Sequence, residues 1–189
     1  LASNDGYLLQ YFKELDIPVL GIEPTANTAR VAVEKGIKTV VDFFGTRLAN
    51  QLVDEGYKAD LLLGNNVLAH VPDINDFVQG MKMLLNKRGV ITMEFPHLLQ
   101  LIQLNQFDTI YHEHFSYLSF ITVKRIFESC GLKMFDVQEL STHGGSLRIF
   151  ACHEEDETKE VTDRVMKMIL LEEGKGLNKT ETYQEFQQK

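Results

Sequence analysis

Two histidines, a glutamate and two tyrosines fall within nine residues, "YHEHFSYLS", Tyr111 to Ser119. Histidine titrates near neutral pH, so it can accept a proton, bind a metal or donate a hydrogen bond, depending on its surroundings. As a metal site, His112 and His114 are two apart and could reach one ion from a strand, with Glu113 opposite or His97 as an additional ligand. H-x-H alone is a common coincidence, and no Cys or further acid completes a set, so no metal is expected. As an acid–base site, one imidazole would move a proton while Tyr111 and Glu113 assist. As plain structure, the aromatics would pack and the histidines would be solvated.

Other polar residues stand where strands should end. "ASNDGY" is a turn of small residues (Ala2, Ser3, Asn4, Asp5, Gly6) whose main-chain N–H groups could face a ligand at a helix start. Gly6 is its only glycine, so the dinucleotide fingerprint fails and an ordinary turn fits as well. Glu23 closes the apolar run "PVLGIE", where a carboxylate can accept both ribose hydroxyls or cap a helix. Asp42 closes "TVVD" and could accept from an adenine amino group or hold its own loop. "GNNVLAHV" contributes Asn65, Asn66 and His70; Asn66 and His70 are four apart and share a face if the segment coils. Glu94 closes "VITMEF".

These tips need a scaffold. Helical spacing appears at Leu8, Leu9, Phe12 and Leu15, again at Leu48, Leu52 and Val53, and most clearly over 73–86, where Asp73 can cap. Thr25 is a fitting N-cap for the Ala-rich segment that stops at Gly36. Between the helices run short, continuous apolar strands, the pattern of a parallel sheet covered on both faces. Residues 96–120 lose this periodicity and read as an insertion. A helix follows with Val123, Ile126, Phe127 and Cys130 and ends at Gly131; "LKMFDVQEL" and "SLRIFACH", joined by "STHGG", read as an antiparallel pair. From residue 154 a charged helical tail carries Val161, Val165, Ile169 and Leu170 on one face, and "YQEFQQK" continues a helical pattern. The expected fold is α/β: a doubly wound, Rossmann-like, mostly parallel sheet with a terminal antiparallel strand pair. Residues 1–153 form its main domain and 154–189 a helical tail that starts another. The turn at residues 2–7 lacks most of the strand that should precede it, so the 189 residues read as a portion of a longer protein.

Composition sets bounds. A net charge of −8 without a basic run argues against a nucleic-acid groove. No apolar run approaches the length of a membrane span. Cys130 and Cys152 are far apart, which fits free thiols in a reducing compartment, the cytoplasm. Oligomeric state is not legible.

Taken in order, "ASNDGYLL", "GIEP", "NNVLAHVPD", "YHEHFSYLS" and "HGGSLR" resemble the sugar C-methyltransferases that act on nucleotide-linked deoxysugars, within the class I S-adenosylmethionine-dependent methyltransferases. The resemblance runs from residue 1 to about residue 153, and the tail looks like the start of that family's C-terminal domain. The family's cysteine-rich zinc domain and most of its C-terminal domain have no counterpart in these residues. The resemblance implies S-adenosylmethionine as cofactor, S-adenosylhomocysteine as product, and a nucleotide-linked sugar as substrate. It places "ASNDG" against the methionine part of the cofactor, Glu23 on the ribose and Asp42 near the adenine; Asn65 joins this group. Tyr111, Glu113 and His114 match a Y-x-E-H catalytic segment, Asn66 and His70 a polar pair facing substrate, and His143 and Arg148 a possible substrate contact.

Methylating carbon requires a carbon nucleophile. Next to a ketone, a C–H proton can leave because the charge passes to oxygen as an enolate. A base of near-neutral pKa and donors aimed at the enolate oxygen are then needed, and histidine's ordinary pKa of about 6.5 suits the base. The expectation is that His114 takes the proton, His70, Asn66 or Tyr111 stabilises the oxyanion, and Glu113 binds substrate or orients the imidazole. Two alternatives remain: an O- or N-methyltransferase on another small molecule, and a truncated, non-catalytic cofactor-binding module.

Overall fold

The computed structural model describes residues 1–186. Helix α1 (Leu9–Glu14), strand β1 (Gly21–Ile22), α2 (Ala26–Glu34), β2 (Thr39–Val40), α3 (Thr46–Asp54) and β3 (Ala59–Asn65) alternate along the first third. A 3-10 turn (Leu68–His70), α4 (Ile74–Leu84), β4 (Leu85–Pro96), α5 (Leu98–Leu104) and a second 3-10 turn (Phe107–Thr109) follow. The remainder comprises α6 (Phe120–Ser129), β5 (Leu132–Leu140), a 3-10 turn (Thr142–Gly144), β6 (Ser146–His153), α7 (Asp163–Gly174) and α8 (Thr180–Phe186).

β1 pairs parallel with β2, and β3 pairs parallel with β4. β6 runs antiparallel between β4 and β5, giving the order β3-β4-β6-β5. Residues 1–3 lie between the two groups of strands: the Leu1 nitrogen donates to the Leu63 carbonyl at 2.7 Å, and the Ser3 N–H to the Ile22 carbonyl at 3.0 Å. This is the expected doubly wound sheet with its antiparallel pair at one end.

β4 is the spine. Ile91, Met93 and Phe95 are fully buried and belong to one core with Leu62, Phe77, Met81, Phe120, Phe127, Leu147 and Ile149. Each such side chain contributes roughly 1.5–3 kcal/mol of transfer free energy, which fixes the strand ends where the polar tips stand. Asp73 caps α4 by accepting from the Asp76 N–H at 3.0 Å, and Ser119 caps α6 by accepting from Thr122.

Several local expectations change. The helix expected over 73–86 stops at Leu84, because Leu85 turns to extended geometry and opens β4. Thr25 stands at the N-cap of α2 but makes no side-chain cap; its N–H donates to Glu23 instead. The insertion is not structureless: α5 buries Leu99, Leu101 and Ile102, too short a helix for its period to show. In the tail, Val161 and Leu170 are exposed; the buried face of α7 is Val165, Met168 and a carboxylate, Glu172. Of the helical pattern in "YQEFQQK", residues up to Phe186 belong to α8, and the last three lie outside the described residues.

Candidate active site

One end of the site is made of main chain. In the turn at residues 2–6, Ala2, Asn4 and Gly6 all adopt left-handed backbone, with φ of 49°, 50° and 76°. Gly6 takes this conformation without the strain a side chain would bring, and a Cβ there would stand 2.5 Å from Ile37 Cδ1 and force that side chain to shift. The chain thus makes the alternating turns of a glycine-rich loop with a single glycine. Glu23, 5% exposed, ties this turn to the next strand tip: Oε2 accepts from the Asn4 N–H at 3.0 Å and Oε1 from the Thr25 N–H at 2.9 Å. A carboxylate offers about four acceptor positions, so the other two remain open to a diol. Ser3 Oγ is buried without a hydrogen-bond partner. A small hollow beside this turn is lined by Ala2, Ser3, Tyr7, Leu63 and Asn65. Asp5 instead faces Lys35, at 2.6 Å, and that hydrogen bond holds its carboxyl below the usual range.

Asp42, beyond the end of β2, has both oxygens 2.6 Å from one Arg47 nitrogen and accepts from the Phe43 N–H. The Arg47 guanidinium holds its carboxyl below the usual carboxylate range. An adenine amino group would have to share this carboxylate. The neighbouring Phe43 ring, 78% exposed, offers a flat apolar surface that the residue patterns did not single out.

The other end of the site is built of side chains from distant segments. Asn66 leaves β3 in left-handed backbone (φ 55°), its N–H donating to the Glu94 carbonyl and its Oδ1 buried without a partner. This bend starts the turn that carries His70 toward the insertion. There the Ala69 carbonyl accepts from both Phe115 and Ser116 N–H groups, and His70 Nδ1–H donates to the Glu113 carbonyl at 3.0 Å. His114 Nδ1 lies 2.8 Å from the Thr109 carbonyl, which can only accept, so Nδ1 carries a proton. In the neutral ring Nε2 therefore bears the lone pair, 3.0 Å from the Tyr111 hydroxyl. His70 and His114 rings lie 4.6 Å apart, Tyr111 and His114 rings 4.2 Å apart.

So Tyr111, His114 and His70 form one cluster, and the segment Asn65–His70 joins it to the turn at residues 2–6. The Glu113 side chain is exposed and makes no hydrogen bond to His114; Thr109's carbonyl orients that ring, a main-chain role no residue pattern announces. His112 is exposed and makes no side-chain hydrogen bond in the described residues, and His97 is turned away to Glu172, so the metal set does not assemble. Arg148 is committed to Glu94, its Nε donating at 2.7 Å. His143 sits exposed on its turn with φ 52°. That turn is stitched to the insertion by Gln106, which donates to the Gly144 carbonyl at 2.7 Å. Tyr117, edge-on to His114 at 6.0 Å, joins the cluster unforeseen.

Comparison with known proteins bears on family and fold. Residues 2–137 match the model of the "Methyltransferase domain" family, and residues 141–189 that of the "C-methyltransferase C-terminal domain". The chain is 36% identical to C-methyltransferase NovU of Streptomyces niveus over 185 residues, 98% of this chain and 44% of that protein. It therefore spans less than half the length of this relative. Among solved structures it resembles the PH0226 protein of Pyrococcus horikoshii OT3 (TM-score 0.62, 14% identity, 80% of this chain and 79% of that one). It also resembles magnesium protoporphyrin IX methyltransferase of Synechocystis PCC 6803 with bound SAH (TM-score 0.61, 14% identity, 80% and 71%). At this identity the structural likeness speaks for the fold.

Proposed function

Because the chain belongs to the methyltransferase-domain family and has the class I S-adenosylmethionine-dependent fold, we propose that its site methylates carbon, on a keto-deoxysugar carried by a nucleotide. The residues of the first turn fit an adenosyl cofactor. Glu23 retains open acceptor positions for a ribose diol, Ser3 Oγ has unmet hydrogen-bonding capacity, and Phe43 offers a surface for a purine. When bound, S-adenosylmethionine supplies an electrophilic methyl group on a sulfonium.

The observation that carries the reading is the state of His114. Its Nδ1–H is spent on Thr109, so Nε2 is the basic atom, and Nε2 faces the Tyr111 hydroxyl inside the cluster. Once the Tyr111 hydroxyl turns from Nε2 to the ketone oxygen, a substrate C–H beside that ketone gives its proton to the freed Nε2 lone pair, and the electron pair it leaves moves onto the ketone oxygen. The imidazolium that forms stays hydrogen-bonded to the Thr109 carbonyl, which stabilises its charge. Donors near the developing enolate oxygen are the Tyr111 hydroxyl and His70, whose Nε2 has no partner among the described residues. Asn66 is the third candidate, its amide adjoining the same turn. His143 and Arg148 lie on the neighbouring turn and strand and would meet the nucleotide-sugar, Arg148 while still paired with Glu94. Both cysteines are free thiols, consistent with work in a reducing cytoplasm. No described helix is long and apolar enough to cross a membrane.

The test is His114→Gln. Methyl transfer should fall by about 10²–10⁴-fold, while S-adenosylmethionine affinity by calorimetry stays within about twofold, since the cofactor contacts lie elsewhere. NMR of the wild-type product should place the new methyl on carbon. A methyl on oxygen or nitrogen would overturn the reading.

A further inference from the structure

Two of the most deeply buried ionisable side chains among the described residues play no part in this chemistry. His97 is 2% exposed and Glu172 is fully buried. Glu172 reaches from α7 to the start of α6: its Oε1 accepts from the Phe120 N–H at 2.7 Å and its Oε2 from the Ile121 N–H at 2.8 Å. These are N–H groups that a helix leaves without internal partners, at the end where negative charge is favoured. Oε1 also lies 2.8 Å from His97 Nε2, which must donate to it. The main chain of His97 is equally engaged. Its N–H donates to the Gly145 carbonyl, it bridges Leu118, and the next N–H, of Leu98, donates to the Leu118 carbonyl.

One carboxylate therefore holds both ends of segment 97–119: His97 at its start and Phe120 just past its finish. Between those ends lie Thr109, Tyr111 and His114. His97 and His114 line the same small hollow with Leu101, Thr109 and Tyr117. A buried hydrogen-bond network selects one arrangement, and removing one member leaves its partners unpaired. We infer that Glu172 and His97 are positioning residues: they clamp the loop carrying His114, so that the helix after the sheet sets the geometry of the base. This rests on the proposed role of His114 for its effect on rate, but not for its effect on structure.

The experiment uses the 189-residue chain. Glu172→Gln presents an amide N–H₂ where a carboxylate oxygen now accepts, so one N–H of α6 loses its acceptor. Amide exchange at Phe115 and Ser116, the groups bonded to Ala69, should quicken by about tenfold or more, and the His114 imidazole ¹⁵N signals should shift. kcat should fall by about 10–100-fold with cofactor affinity unchanged. His97→Gln keeps an N–H donor near Glu172 and should retain more activity than His97→Leu, which keeps bulk but no donor. That pair gives the same readouts if Glu172→Gln does not fold. Unchanged exchange at Phe115 and Ser116 with an unshifted His114 signal overturns the clamp, as does His97→Leu matching the wild-type kcat. If the wild type transfers no methyl to carbon, the catalytic reading falls, while exchange and ¹⁵N signals, which need no turnover, still decide the clamp.

Discussion

The two ends of the site are made differently. The turn at residues 2–6 and Glu23 are bound together by main-chain N–H groups within the first 25 residues, and the carboxylate is buried. The His114 cluster draws on Ala69, His70, Thr109 and Tyr111, and behind them on Glu172. Its outward face is aromatic and open: Phe107, Tyr111 and Phe115 are all exposed. Group recognition that is the same in every turnover can be cut into short-range backbone. A reacting geometry that must suit one substrate is held at a distance, by side chains from several elements.

The sharpest way to break that contrast is Glu23→Ala. If the cofactor end is local, S-adenosylmethionine affinity should drop by about 10²-fold, since a carboxylate that accepts main-chain and ligand donors is worth about 1.5–3 kcal/mol per charged hydrogen bond. The His114 ¹⁵N signals should stay in place; a shift there would show the two ends to be coupled. Asp136 probes the distant end, because it ties α7 to β5 through Arg164 and Thr162. Burial alone would raise its carboxyl pKa, but the hydrogen bonds from Arg164 and Thr162 win and hold it below the usual range. A depressed carboxylate stabilises the fold above its unfolded value, about pH 4, and that stabilisation is lost as pH falls through the folded value. Asp136→Asn should therefore lower stability at pH 7 by about 1–3 kcal/mol, and the gap from wild type should close in acid, as read by thermal melts across pH. The smallest effect is expected at Ala2→Gly. Left-handed backbone costs an alanine about 1–2 kcal/mol, and glycine's entropy cost offsets part of the relief. A net gain of about 0.5 kcal/mol in denaturant unfolding is expected.

The contrast also explains what the residues disclosed. Strand-tip acids such as Glu23 and helix periods such as that of α4 repeat over neighbouring positions, so spacing shows them. The turn at residues 2–6 concealed its backbone, because Ala2 and Asn4 take conformations that composition assigns to glycine. Tyr111, His114 and His70 were legible as residue types, and motif order linked them. What spacing could not show was contact across the chain: Thr109's carbonyl as the group orienting His114, or Glu172, which reads as one more charge on a charged tail. Leu170 was misplaced on the buried face for the same reason, since a buried carboxylate interrupts the apolar stripe of α7.

The position of β6 has a consequence for how the chain is made. Among the described strands it comes last in chain order, yet it lies between β4 and β5. Until residue 153 has emerged, β4 presents an open edge along Ile91 to Pro96, and β5 has no partner on its paired side. Pairings of such long sequence separation form slowly. The nascent chain thus carries an apolar strand edge, the kind that recruits other chains, until β6 closes it.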